Sequence, residues 1–123
     1  MNTEAVAKRL AELCRKGEYE QAQRELYAQD AVSIEMPGAP AGALGDAKGL
    51  DAIYEKGRQF AAMVEAVHAN DVSEPVVAGN WFSLAMAMDV TFKGRGRVQM
   101  AEIGVYQVRD GKVVHEQFFY DMG

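Results

Sequence analysis

The chain is predicted to be a single α+β domain, with helices in its first half lying on one face of a curved, mostly antiparallel sheet built by its second half. Three features of the 123-residue sequence predict this. Up to Val64 the apolar residues recur at helical spacing. From about Ala66 the period switches to two. Beyond that come long alternating runs joined by glycine turns.

The elements follow in order. Thr3 is placed to cap a first helix with Glu4 in its first turn, and Val6, Leu10, Leu13 and Cys14 share one helical face. Gly17 ends it, and a second helix over 18–27 carries Tyr19, Ala22, Leu26 and Tyr27 on one side. A short strand over 32–36 follows, with Ser33 and Glu35 on one face. Prolines and glycines from Pro37 to Gly49 predict a loop bordering a pocket mouth. Leu50, Ile53, Tyr54, Gly57, Phe60, Ala61 and Val64 form the longest helical stripe, in which Gly57 suggests close packing or space left for something else. Strands are expected over 66–72, 81–92, 98–108 and 113–120. Lys93-Gly94-Arg95-Gly96 and Asp110-Gly111 form the turns between the last three. The predicted order is ααβαββββ.

Composition narrows the classes of function. Apolar residues make up 49% of the chain, enough for an ordinary core. A net charge of −5 without a Lys/Arg cluster argues against a nucleic-acid partner. No apolar run is long enough to span a membrane, and the first residues do not read as a signal peptide. Cys14 is the single cysteine, which rules out an internal disulfide and fits a cytoplasmic setting; in its helix it reads as a small buried hydrophobe. No motif calls for a cofactor.

Several short segments, in this order and spacing, resemble the NTF2-like superfamily over nearly the whole chain. They are Gly17-Glu18-Tyr19-Glu20 and Leu26-Tyr27-Ala28-Gln29-Asp30-Ala31-Val32. Glu35-Met36-Pro37-Gly38, Glu102-Ile103-Gly104-Val105-Tyr106, Val108-Arg109-Asp110-Gly111-Lys112-Val113 and Phe118-Phe119-Tyr120 resemble its SnoaL-like members more narrowly. The resemblance implies a cone in which three helices and the curved sheet enclose a pocket. Ketosteroid isomerase, in the same superfamily, uses an aspartate base with a tyrosine and a protonated aspartic acid as oxyanion donors. Counting from shared landmarks places that base on Glu35, but the two donors on Leu10 and Gly104. Steroid isomerisation by that mechanism is therefore not expected, although a relocated acid remains open.

Strand alternation, anchored on this resemblance, selects the inward side chains. It places Val114, Glu116, Phe118 and Tyr120 inside from the last strand, and Met100, Glu102 and Tyr106 from the one before. Leu84, Met86 and Met88 come from the strand over 81–92, and His68 from the strand over 66–72. A bulge would exchange faces locally. The candidate catalytic set is Glu35, His68, Glu102 and Glu116, and the candidate substrate-binding set is Met86, Met88, Tyr106, Phe118 and Tyr120. Carboxyl groups crowded in an apolar cavity share protons, which leaves one raised acid beside a base. Glu102 is expected to be the acid or base, tuned by His68, with Glu35 as second proton carrier and Tyr120 as an orienting donor. Gly104 is expected to leave space beside Glu102.

This set fits an isomerase, cyclase or dehydratase acting on a small, largely apolar molecule. A non-catalytic binding module is the alternative. A metal site from His68 and the carboxylates is a third reading, for which no ligand pair at helical spacing speaks. Trp81, Ala85, Ala87, Gln107, Gln117 and Phe119 fall on the opposite sheet face, where apolar side chains predict a homodimer.

Overall fold

The computed structural model describes residues 1–37 and 45–121. It contains α1 (Thr3–Arg15), α2 (Tyr19–Leu26), β1 (Tyr27–Ile34), β2 (Ala47–Lys48), α3 (Leu50–Met63), β3 (Val64–Val72), β4 (Val76–Ala78), β5 (Trp81–Phe92), β6 (Gly96–Arg109) and β7 (Lys112–Phe119). The α+β plan is as expected: three helices packed on a mostly antiparallel sheet.

Local chemistry explains the helices. Asn2, rather than Thr3, caps α1, its side chain accepting from the Ala5 amide at 2.8 Å. Val6, Leu10, Leu13 and Cys14 are buried, as their spacing predicts. Gly17, with φ of 74°, turns the chain out of α1. Arg9 clasps Glu25 through Nε and Nη2 at 2.6 and 3.0 Å and ties α1 to α2. In α3, Leu50 and Ile53 are buried, but Gly57 is exposed and a Cβ there would meet nothing within 4 Å, so it marks neither close packing nor a ligand space.

The sheet runs β2-β1-β7-β6-β5-β3, with β4 also paired to β5. The short strands β2 and β4 lie outside the expected order. β2 falls within the stretch expected to be irregular, where Ala47 and Lys48 pair with Ser33 and Val32. The expectation of a loop at the pocket mouth is otherwise testable only at its ends, since residues 38–44 lie outside the described residues. At the near end the Glu35 amide donates to Asp46 Oδ1 at 2.8 Å. β1 begins at Tyr27, five residues before the strand expected from alternation, and α2 is correspondingly shorter.

β1 pairs with β7 in parallel, with Ser33 opposite Glu116, so the first strand lies beside the last. β5 and β6 pair along their length, with Phe82 opposite Tyr106, Leu84 opposite Gly104, Met86 opposite Glu102 and Met88 opposite Met100. Partners share a face, so this register builds the inner wall. Phe82, Leu84 and Tyr106 join Leu10, Leu13, Leu26 and Ile53 in the core.

Candidate functional site

Two rows of interior side chains meet inside the cone. The first is carried by β1, α3 and the end of β7. Lys56 sits on α3, three residues after buried Ile53 and four before Phe60, on the side facing the sheet. Its ammonium donates to Ser33 Oγ at 2.9 Å and to Glu35 Oε2 at 2.6 Å, and stands 5.6 Å from the centre of the Phe118 ring. Both ends of this ion pair are nearly covered, with side chains 14% and 13% exposed. The other Glu35 oxygen accepts from the Tyr120 hydroxyl at 2.9 Å. Burial and this hydrogen bond push the Tyr120 phenol up to about 12. Ser33 is fully buried.

Glu116, on β7, is 5% exposed, and the Tyr27 hydroxyl donates to its Oε1. Burial raises its pKa, while hydrogen bonds from Ser33 and Tyr27 and the charge of Lys56 oppose the rise. Glu116 is thus walled in by the polar side chains of β1.

The second row is on β6. Glu102 is half-buried and has no hydrogen-bond partner among the described residues. Burial first, then the nearby charges of Glu35 and Glu116, lift its pKa from 4.5 to about 7; Lys56 restrains the rise. Two residues on, Gly104 is buried, and two further on Tyr106 is 2% exposed. Gly104 does not leave the open space beside Glu102 that its missing side chain predicts. The Tyr106 ring lies back over it, so that a Cβ at Gly104 would meet the Tyr106 hydroxyl at 2.6 Å and ring carbons at 2.9 Å. The ring stacks on Phe82 at 4.8 Å and meets Phe118 edge-on at 6.3 Å.

The structure therefore brings Glu35, Glu102 and Glu116 within electrostatic reach of one another, with Tyr106, Phe118 and Tyr120 around them. Met86 and Met88 are half-buried on the same face, Met86 against the core.

His68 does not join them. β3 shifts register against β5 between Val67 and Ala69, and His68 is the extra residue of that bulge. It is exposed, with its imidazole Nε2 2.7 Å from Thr91 Oγ1. The inward position it was expected to hold belongs to Asn70, which donates to the Cys14 carbonyl at 2.8 Å and accepts from the Tyr19 hydroxyl at 3.1 Å. Val114 is displaced in the same way: β7 slips against β6 between Gln107 and Val108, and Val113 is the fully buried neighbour of Val108.

Lys56 is the residue that sequence reasoning missed. Its signal was present, because it completes a stripe with Ile53 and Phe60 at i−3 and i+4, but a lysine on an apolar face is easily read as solvated. Cys14 is buried as expected, its thiol pushed up to about 12 by burial and by the charges of Glu116 and Glu102. Among the described residues, no three His, Cys, Asp or Glu side chains come together as a metal-ligand set.

A depression of about 540 Å³ crosses the sheet at the level of Met86 and Glu102. Val72, Met86, Glu102 and Tyr120 line it from inner-face positions, and Ala85, Ala87, Ala101, Ile103 and Phe119 from outer-face ones. On the outer face Trp81, Ile103 and Phe119 are 42%, 50% and 43% exposed. No helix of the described residues is long and apolar enough to cross a membrane.

The family model for a SnoaL-like domain matches residues 1–120. A protein from Mesorhizobium loti, named as a candidate SnoaL-like polyketide cyclase, is 34% identical; the match covers 98% of this chain and 100% of that one, with a TM-score of 0.88. An NTF2-like protein of unknown function from Burkholderia pseudomallei is 15% identical over 99% of this chain and 93% of its own, with a TM-score of 0.80. A protein of ketosteroid isomerase-like fold from Catenulispora acidiphila, in complex with trimethylamine, is 18% identical over 98% of this chain and 88% of its own, with a TM-score of 0.69. No curated protein is significantly similar to the chain. The match over residues 1–120 and the architecture agree: the chain belongs to the SnoaL-like family and has the cone fold of NTF2-like and ketosteroid isomerase-like proteins.

Proposed function

We propose that the protein binds a small, largely apolar molecule inside the cone and moves a proton on it, with Glu102 as the acid or base. The observation that carries this is Glu102 itself: a half-buried carboxyl on the inner wall, free of a hydrogen-bond partner among the described residues and titrating near 7. A group with that pKa populates both protonation states at neutral pH, as proton transfer in both directions requires. Glu35 is engaged by Lys56 and Tyr120, and Glu116 by Tyr27. These two hold charge around Glu102 rather than meeting the ligand directly. Lys56 takes the tuning role that sequence reasoning gave to His68.

Isomerisation, aldol-type cyclisation and dehydration each need one proton removed beside a carbonyl or hydroxyl and one returned. The M. loti relative's name, a candidate polyketide cyclase, fits this range. Met86, Met88 and Phe118 supply the apolar wall. The protein acts as a homodimer joined through the outer sheet face, where Trp81, Ile103 and Phe119 are exposed.

The test begins with apolar ketones, lactones and aromatic alcohols screened for a rise in melting temperature. Bound ketones are then followed in D₂O for deuterium entering the position next to the carbonyl. Wild-type protein is expected to catalyse the exchange and Glu102→Gln to lose it while still binding. Exchange that survives Glu102→Gln would end the assignment. Binding without exchange in either protein would favour the non-catalytic module.

A further inference from the structure

The depression at the level of Met86 and Glu102 opens outside the cone. Among the described residues, none of α1, α2 or α3 borders it, so it lies on the sheet face that the helices leave bare. Asp71 pairs with Ala87 and Ala87 with Ala101, which sets these three side chains on that face in one row across β3, β5 and β6. Ile103 and Phe119 pair across β6 and β7 and stand in the next outward row, 50% and 43% exposed. The alanine side chains end below those of Ile103 and Phe119. The result is a trough of about 540 Å³ with an apolar floor and one apolar wall, a volume that suits a small molecule.

Its charge is one-sided. Asp71 and Asp121 border it, Glu102 adds a third acid from the inner-face side, and among the described residues no lysine, arginine or histidine lines it. Asp71 and Asp121 stand at its two ends, three strand spacings apart, or roughly 14 Å. Both are exposed, and neither has a hydrogen bond or ion pair among the described residues. Asp89, the next outward acid along β5, shows the other pattern, since Arg97 holds it through two hydrogen bonds of 2.9 and 2.8 Å. Two carboxylates left unpaired at the ends of one apolar trough complement a cation with an apolar body.

We propose that this trough binds a small organic cation, an ammonium group carried on an apolar or aromatic body. The body lies on Ala87 and Ala101 against Ile103 and Phe119, and the ammonium pairs with Asp71 or Asp121. The Phe119 ring offers the cation a second surface. Anions meet repulsion from the carboxyl groups. A second copy of the chain seated on Trp81, Ile103 and Phe119 would roof the trough rather than fill it, because its alanine floor lies below those side chains. The inference is independent of the proton transfer assigned to Glu102, and either can fail alone.

The probes are phenethylamine, phenethyl alcohol and phenylacetate, which share a ring and a short chain and end in a cation, a neutral group and an anion. Each is titrated into the ¹⁵N-labelled full chain by NMR. The amides of Ala87, Ala101 and Phe119 are expected to shift, with the amine bound about ten-fold more tightly than the alcohol, as an ion pair and a cation–π contact together provide. Phenylacetate is expected not to bind. Asp71→Asn combined with Asp121→Asn should bring the amine to within about two-fold of the alcohol, and an unchanged melting temperature checks the fold. Equal binding of amine and alcohol by wild type would overturn the inference. So would an amine preference that survives the double substitution, or amides of Ala87 and Ala101 that no probe moves. Amine binding that strengthens as the protein is diluted would show that a second copy fills the trough, and would overturn it as well.

Discussion

Burial of Glu102 has a consequence that needs no ligand to measure. Its pKa of about 7 lies above the ordinary 4.5 it regains on unfolding, so the folded protein holds the proton more tightly. Its contribution to stability is complete below about pH 4.5, falls as pH rises towards 7, and is lost above that. Glu102→Gln should therefore stabilise the fold by about 2–3 kcal/mol at pH 8 and change little at pH 4, as urea unfolding at the two pH values would show. A change independent of pH would mean that the carboxyl is not desolvated. Lys56 is the counterweight. Lys56→Met leaves Glu35 without its cation in a covered site, a loss of about 2–4 kcal/mol that a Glu35→Gln background should largely remove. In the same variant the Glu102 carboxyl, followed by ¹³C NMR, should titrate above 7, because Lys56 is the charge that restrains it. At Gly104 a methyl group would strike the Tyr106 ring at 2.6–2.9 Å. Gly104→Ala is thus expected to cost about 1–3 kcal/mol by overpacking, and a melting temperature unchanged from wild type would refute that geometry.

At the scale of elements, α3 separates two uses of a helix. Its sheet-facing side carries Ile53 and Lys56 into the interior, whereas Gly57 lies on the exposed side with open space around it. Gly57→Ala adds helix propensity and removes freedom from the unfolded chain without a steric cost, so it should stabilise by about 0.5–1 kcal/mol, seen as a rise of a few degrees in thermal unfolding. Had the glycine been kept for close packing, the sign would reverse. The strands show a different dependence. β5 and β6 pair without a slip from Trp81 opposite Gln107 to Phe92 opposite Gly96, and every inner-wall residue expected there is on the correct side. β3 and β7 each slip against a neighbour, and the errors of face at His68 and Val114 fall at those slips. One extra residue exchanges the two faces of a strand.

For the whole molecule, the helices cover only one face of the sheet. The other carries the exposed Trp81, Ile103 and Phe119, together with the Asp89–Arg97 ion pair at 2.8 Å. An apolar sheet face rimmed by charge suits a second copy of the chain. Sedimentation at micromolar concentration should show a dimer, and Ile103→Glu should convert it to a folded monomer. A wild-type monomer would leave that face without its proposed use.

Much of the fold was legible in the chain because it follows from local periodicity. The buried stripe of α1, the switch to alternation near residue 66, and the Asp110-Gly111 turn, with φ of 53° and 76°, are read from neighbours in sequence. The place of Glu102 on the inner wall was legible for the same reason, since an unbroken strand preserves alternation. What only the tertiary structure decided depends on residues far apart in the chain. The parallel pairing of β1 with β7 sets Ser33 beside Glu116 across more than eighty positions. The docking of α3 brings Lys56 to Glu35. The bulge that turns His68 outward depends on how β3 meets β5. Long-range pairing and the slips that accompany it carry no local signature. The sequence therefore determined which residue types line the cone, and the packed chain decided which of them meet.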